Sequence, residues 1–139
     1  MPRILVVCAG NTCRSPMTVG FLRSLLGPGS EVQSAGLEIT NGLPPTKAAV
    51  QAMAARGIDI SRHWSRTIES IRLRDFDVLI ALTPEIAREL GALRDSSQEV
   101  LDLNVLDPYN KGQMAYDSAA TDIESQLTTA LEKLKRTTQ

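Results

Sequence analysis

Apolar residues along the chain follow two alternating patterns: short unbroken runs, and longer stretches where they recur every three or four positions. RILVV (3–7) is of the first kind, rich in β-branched side chains, and predicts a strand covered on both faces. From Met17 the period changes. Met17, Phe21, Leu22, Leu25 and Leu26 recur at helical spacing until GPG (27–29) stops the helix. Ser15 reads as the cap of that helix and Pro16 as its first residue, where a missing N–H costs nothing. EVQSA (31–35) is a weaker second strand, followed by the polar loop GLEITNGLPP. Thr46 is placed to cap a helix through Arg56, with Gly57 as its C-terminal stop. DISRHWSRTI reads as extended chain leading into a short helix that reaches Leu73. DVLIAL (77–82) is another buried strand, and Thr83-Pro84 opens a further helix. EVLDL (99–103) is the fourth strand; NVLDPYNKGQ then leads to a final helix from about Tyr116 to Arg136.

Buried strands alternating with helices predict an α/β fold: one domain over 1–139, a doubly wound four-stranded parallel sheet with helices on both faces. In such folds ligands bind beyond the carboxyl ends of the strands, where the strand order reverses. The first predicted strand leads directly to Cys8.

Composition narrows the function classes. The 139 residues are 42% hydrophobic and 22% charged, an ordinary globular balance. Fifteen basic residues against sixteen acidic ones leave no broad basic face for nucleic acid and no polybasic membrane anchor. Any anion site must therefore be local and shaped. No apolar run approaches the ~20 residues of a membrane span, and MPRILVV is too short for a secretory signal. The expected location is the cytoplasm, where the two cysteines are reduced thiols.

Those cysteines stand in VVCAGNTCRSP (6–16). Cys8 and Arg14 frame Ala9, Gly10, Asn11, Thr12 and Cys13 between a strand and a helix start. A loop this short can turn successive N–H groups onto one centre, and the helix dipole adds to the resulting oxyanion nest. Gly10 is expected to supply a backbone conformation other residues resist, while Asn11 tolerates the left-handed region. Arg14 can close the ring with a bidentate guanidinium on two phosphoryl oxygens. The same field favours a Cys8 thiolate, and Ser15 can donate to it. Alone, a cysteine ending a buried strand is usually a small hydrophobe. Zinc would need about four ligands, and two cysteines with the single His63 do not supply them. No Walker or dinucleotide-binding pattern occurs. The combination of strand, cysteine, five residues, arginine, hydroxyl and helix points to attack on phosphorus.

VCAGNTCRSPMT closely resembles the signature of the low-molecular-weight protein tyrosine phosphatases. The resemblance extends to SAG (34–36), RGIDISRH (56–63), FDVLIALT (76–83) and DPY (107–109). It implies Cys8 as nucleophile, Arg14 as oxyanion clamp and Ser15 as a stabiliser of the thiolate. Asn11 would hold the loop with Ser34. Asp107 would protonate the leaving group and then activate water, with Pro108 stiffening its backbone and Tyr109 lining the mouth. Asp102, Asp117 and Asp122 are alternatives for that acid. The implied substrate is a phosphorylated protein or peptide and the product inorganic phosphate; no metal or cofactor is required. Cys13 is placed to trap an oxidised Cys8 as a disulfide.

Two departures from the family pattern stand out. Tyr109 is followed by Asn110 and Lys111 rather than by an aromatic or glycine, which predicts an open or polar wall. Thr18 and Val19 replace the common small-acidic pair. Thr12 resembles the bacterial branch acting on phosphoarginine, because its hydroxyl can bond a guanidinium; phosphotyrosine stays equally open. A thiol-dependent arsenate reductase of the same fold is the alternative enzyme, although no cysteine follows Cys13 to serve an intramolecular relay. A non-catalytic phosphoprotein-binding module is a third reading. Trp64 is expected in the core, and His63 is expected to be structural.

Overall fold

The computed structural model describes residues 2–38 and 41–137. Ile39 and Thr40 of the polar loop lie outside the described residues, as do Met1, Thr138 and Gln139. Four strands are present: β1 (Arg3–Cys8), β2 (Glu31–Gly36), β3 (Val78–Ala81) and β4 (Glu99–Asp102). They form one parallel sheet in the order β2-β1-β3-β4, so the chain leaves β1 first to one side and later to the other. The reversal point is the carboxyl end of β1, as expected for a doubly wound sheet.

Four α-helices cover both faces: α1 (Arg14–Leu26), α2 (Lys47–Ala54), α3 (Pro84–Leu93) and α4 (Gln113–Thr137). Alternate residues of β1 explain why both faces need cover. Ile4, Val6 and Cys8 pack with Met17, Leu22, Met53, Ile123 and Leu127 beneath α1, α2 and α4. Leu5 and Val7 pack on the other side with Phe76, Ile86 and Leu90 of α3 and its approach. None of the described helices is long and apolar enough to cross a membrane.

Several boundaries differ from the sequence reading for local reasons. Helix α1 begins at Arg14, capped by the backbone of Cys13, so Ser15 is not its cap. Its hydroxyl is turned to other partners, described below. Helix α2 is capped by Thr46 Oγ1, which accepts from Ala49 N, as expected. It closes in a Schellman motif, with Ile58 N donating to Met53 O and Gly57 N to Ala54 O. Gly57 takes the left-handed φ of 76° that this closure requires, so the regular helix ends at Ala54 and Arg56 belongs to the closing turn. The segment before β3 forms two 3₁₀ turns, Ile68–Ser70 and Leu73–Asp75, in place of one short helix. Helix α4 starts three residues earlier than predicted, directly after Gly112 at φ 88°.

Candidate active site

Strand β1 delivers Cys8 to the sheet's reversal point, and residues 9–13 turn from there into α1. The loop's carbonyls are held from outside. Cys8 O accepts from Leu37 N (3.1 Å), Ala9 O from Glu38 N (3.1 Å), Thr12 O from Thr46 N (2.9 Å) and Cys13 O from Met17 N (3.1 Å). Asn11 O meets His63 Nε2 at 2.6 Å. In a planar peptide the N–H opposes the C=O, so carbonyls held outward turn the following N–H groups toward the loop centre. That is how a nest forms.

Asn11, with φ 54°, supplies the left-handed residue of this turn. Gly10 does not: its φ lies outside the left-handed region, and a Cβ there would meet only Thr12 Oγ1 at 3.7 Å. Asn11 is wholly buried. Its N–H donates to Cys8 Sγ (3.1 Å), its Nδ2 to Arg66 O (3.3 Å), and its Oδ1 accepts from Ser15 Oγ (2.7 Å). The expected partnership with Ser34 is replaced by these contacts. Ser34 is buried on β2, while Arg66 O and Ser15 Oγ take both ends of the Asn11 amide.

Ser15 Oγ also lies 3.0 Å from Cys8 Sγ. The hydroxyl has one hydrogen, given to Asn11 when the sulfur is a thiol and available to the sulfur when it is a thiolate. Asn11 N thus donates to the buried sulfur, and Ser15 Oγ is placed to become a second donor to a thiolate. Burial pushes the neighbouring Cys13 thiol up to about 12, with the charges of Cys8 and Asp107 adding to that effect. Both thiols are free, and Cys13 stays protonated at neutral pH.

Arg14, the first residue of α1, is only 6% exposed. Nη1 donates to Val105 O (2.9 Å), and Nη2 stands 3.7 Å from Asp107 Oδ2. Its buried Nε has no hydrogen-bond partner among the described residues. An unmet buried donor costs about 1–3 kcal/mol, which an arriving oxyanion would remove. The cavity above it, about 480 Å³, is lined by Cys8, Ala9, Gly10, Thr12, Cys13, Arg14, Glu38, Leu43, Asp107 and Tyr109. Asp107 stands half-exposed at the rim, its Oδ1 accepting from Tyr109 N (3.1 Å) and facing Cys13 Sγ (3.7 Å). Tyr109 is 56% exposed beside it, at the start of a turn in which Lys111 N bonds Pro108 O.

Of the four candidate aspartates, Asp107 alone lines this cavity. Asp102 ends β4, and Asp117 and Asp122 accept from Gln113 and Gln126 along α4. Sequence reasoning missed Glu38 and Leu43 at the rim and the His63 contact to the loop. These depend on where the 36–46 and 57–66 segments return, and no local pattern encodes that. His63 is structural, as expected; burial holds its imidazole below its ordinary value. Trp64 is not in the core but 69% exposed, at the edge of a separate groove.

Comparison with known proteins follows the same lines. The chain is 37% identical over 128 residues to a probable low molecular weight protein-tyrosine-phosphatase, EpsP, of Ralstonia solanacearum, covering 87% of this chain and 88% of the relative. A shorter match, 42% over 79 residues, links 57% of the chain to 58% of an arsenate reductase of Staphylococcus aureus. The arginine phosphatase YwlE of Geobacillus stearothermophilus superposes with a TM-score of 0.85 at 26% identity, over 98% of this chain and 94% of that one. Residues 3–139 match the family model for low molecular weight phosphotyrosine protein phosphatases. The chain belongs to that family of enzymes.

Proposed function

We propose that this enzyme hydrolyses phosphate from protein side chains through a phosphocysteine intermediate, accepting both phosphoarginine and phosphotyrosine. The observation that carries the reading is the unmet, buried Nε of Arg14, a residue that lines the same cavity as Cys8. Cys8 Sγ attacks phosphorus while the loop N–H groups and the Arg14 fork hold the equatorial oxygens. Asp107 gives its proton to the leaving nitrogen or oxygen as that bond breaks. Water then attacks the phosphocysteine, Asp107 takes a proton from it, and inorganic phosphate leaves with the thiolate restored.

Breadth of substrate follows from the cavity wall. Thr12 offers a hydroxyl and a methyl, and Glu38 places a carboxylate on the same wall as the acid Asp107. Those acceptors suit a guanidinium, while Leu43 and Tyr109 suit a phenyl ring. Reduction of arsenate by an intramolecular relay has less support, since no thiol follows Cys13 in this sequence.

The test measures phosphate release from phosphotyrosine and phosphoarginine peptides beside arsenate reduction with an added thiol. Release from both peptides without arsenate reduction is expected. Cys8→Ser should lose turnover yet still bind vanadate. Turnover within tenfold of wild type in that variant would remove Cys8 as nucleophile.

A further inference from the structure

A groove of about 740 Å³ shares no lining residue with the site above. It runs between α1, the middle of β2 and residues 57–66. Asn11 separates the two: its carbonyl meets His63 from the groove wall, and its amide bonds the carbonyl of Arg66.

The lining is cationic and aromatic together. Arg23, Arg62 and Arg66 face a single lining carboxylate, Asp59. Asp59 Oδ1 accepts from Ser61 N (2.8 Å), and none of the three guanidinium groups is within ion-pair distance of an acid among the described residues. Arg23 and Arg66 are aligned by one Nη2 each, to Val32 O (2.8 Å) and Gln33 Oε1 (3.0 Å). The rest of each fork is left for a ligand. Trp64, 69% exposed, stands at the same groove, and Val19, Ile58 and Ile60 add apolar wall. Three unpaired arginines suit a phosphoryl group in bidentate contact. An exposed indole suits a flat ring, and the volume is that of small-molecule sites.

We propose that this groove is a second binding site, for a small aromatic phosphate of the mononucleotide type, separate from the catalytic cavity. The ring lies along Trp64 and the apolar wall, and the phosphate is held by Arg62 and Arg66.

Trp64 is the only tryptophan, so intrinsic fluorescence reports the groove directly. Titration with adenosine monophosphate should give a saturable change. Adenosine alone and inorganic phosphate alone should each bind at least about tenfold more weakly. Arg62→Ala, at an exposed position outside the catalytic cavity, should weaken adenosine monophosphate about 10- to 150-fold, the loss expected for hydrogen bonds to a charged group. Saturating vanadate should leave the isotherm unchanged. No saturable change, displacement by vanadate, or an unaltered isotherm in Arg62→Ala would each overturn the proposal. Equal affinity for adenosine would overturn the phosphate subsite.

Discussion

Asn11 is the residue through which the loop's shape can be measured. It combines a left-handed backbone with two side-chain hydrogen bonds, to Ser15 and to the carbonyl of Arg66. Replacing it by alanine removes both bonds but orphans neither partner. Ser15 keeps Cys8 Sγ, and Arg66 O keeps the N–H of Gly36 at 2.8 Å. The loss per bond is therefore the ordinary net value of about 0.5–1.5 kcal/mol, not the larger cost of a stranded buried group. The left-handed backbone costs alanine about 1–2 kcal/mol more. Asn11→Ala should then destabilise the fold by about 2–5 kcal/mol, judged by urea unfolding followed by circular dichroism.

Glycine separates the two contributions. It accepts the left-handed region freely, but returns about 0.4–1 kcal/mol through the freedom of its unfolded chain. Asn11→Gly should therefore be the more stable variant by about 0.5–1 kcal/mol. Both variants should lose turnover together, since each frees the Ser15 hydroxyl and loosens the N–H facing Cys8. If alanine proves as stable as glycine, the left-handed turn at Asn11 is not what sets the loop, and the account of the nest fails with it.

Other outcomes follow from single contacts. Asp107→Asn should lower turnover of poor leaving groups by ~10²–10³ and of activated aryl phosphates much less; an equal loss across a leaving-group series would place the acid elsewhere. Thr12→Ile removes a hydroxyl beside the leaving group and should cut kcat/KM on phosphoarginine by roughly 10- to 150-fold while phosphotyrosine turnover holds. Parallel changes on both substrates would clear Thr12 of any selecting role. With its thiol raised to about 12, Cys13 should resist iodoacetamide at pH 7.5, so that mass spectrometry finds one adduct, at Cys8. Gly20→Ala would bring a methyl 2.9 Å from Ile60 Cγ2 and 3.0 Å from Ile58 Cγ2. Overpacking of about 1–3 kcal/mol should outweigh the helix propensity gained, lowering Tm; a rise in Tm would show that the 58–60 segment gives way.

What could be read from the sequence divides along physical lines. Strands β1 and β3 were legible because a run buried on both faces must be apolar at every position, and ILVV (4–7) and VLIA (78–81) are. Thr46 and Thr83 were legible as caps because a cap acts within three residues. Ser15 carried the same local signature before Pro16, and there the inference failed. Its hydroxyl is claimed by Asn11 and Cys8, a tertiary demand that overrides capping. The Gly10 expectation failed in a related way: asparagine takes the left-handed position because its amide is held at both ends. Glu38, Leu43 and the His63 contact were illegible because they depend on chain that returns to the loop from far along the sequence.

A short buried bond helps to join the two halves of the site. The cysteine loop and the Asp-Pro-Tyr segment are about 100 residues apart in sequence, and Arg14 Nη1 to Val105 O ties them directly. Val105 and Leu103 are buried at 2% each, whereas Leu106 stands out in solvent and Asp107 is half-exposed. The segment is thus anchored by its apolar residues up to Val105 and presents its carboxylate immediately afterwards. Arg14 is oriented by a backbone acceptor, which no side-chain change at 105 removes, and its loose 3.7 Å approach to Asp107 leaves Nη2 able to turn to an arriving oxyanion. A tight bidentate ion pair there would have occupied both side chains at once. Placing the anchor at a carbonyl and Asp107 two residues later keeps both groups on the cavity that Cys8 lines without letting either satisfy the other.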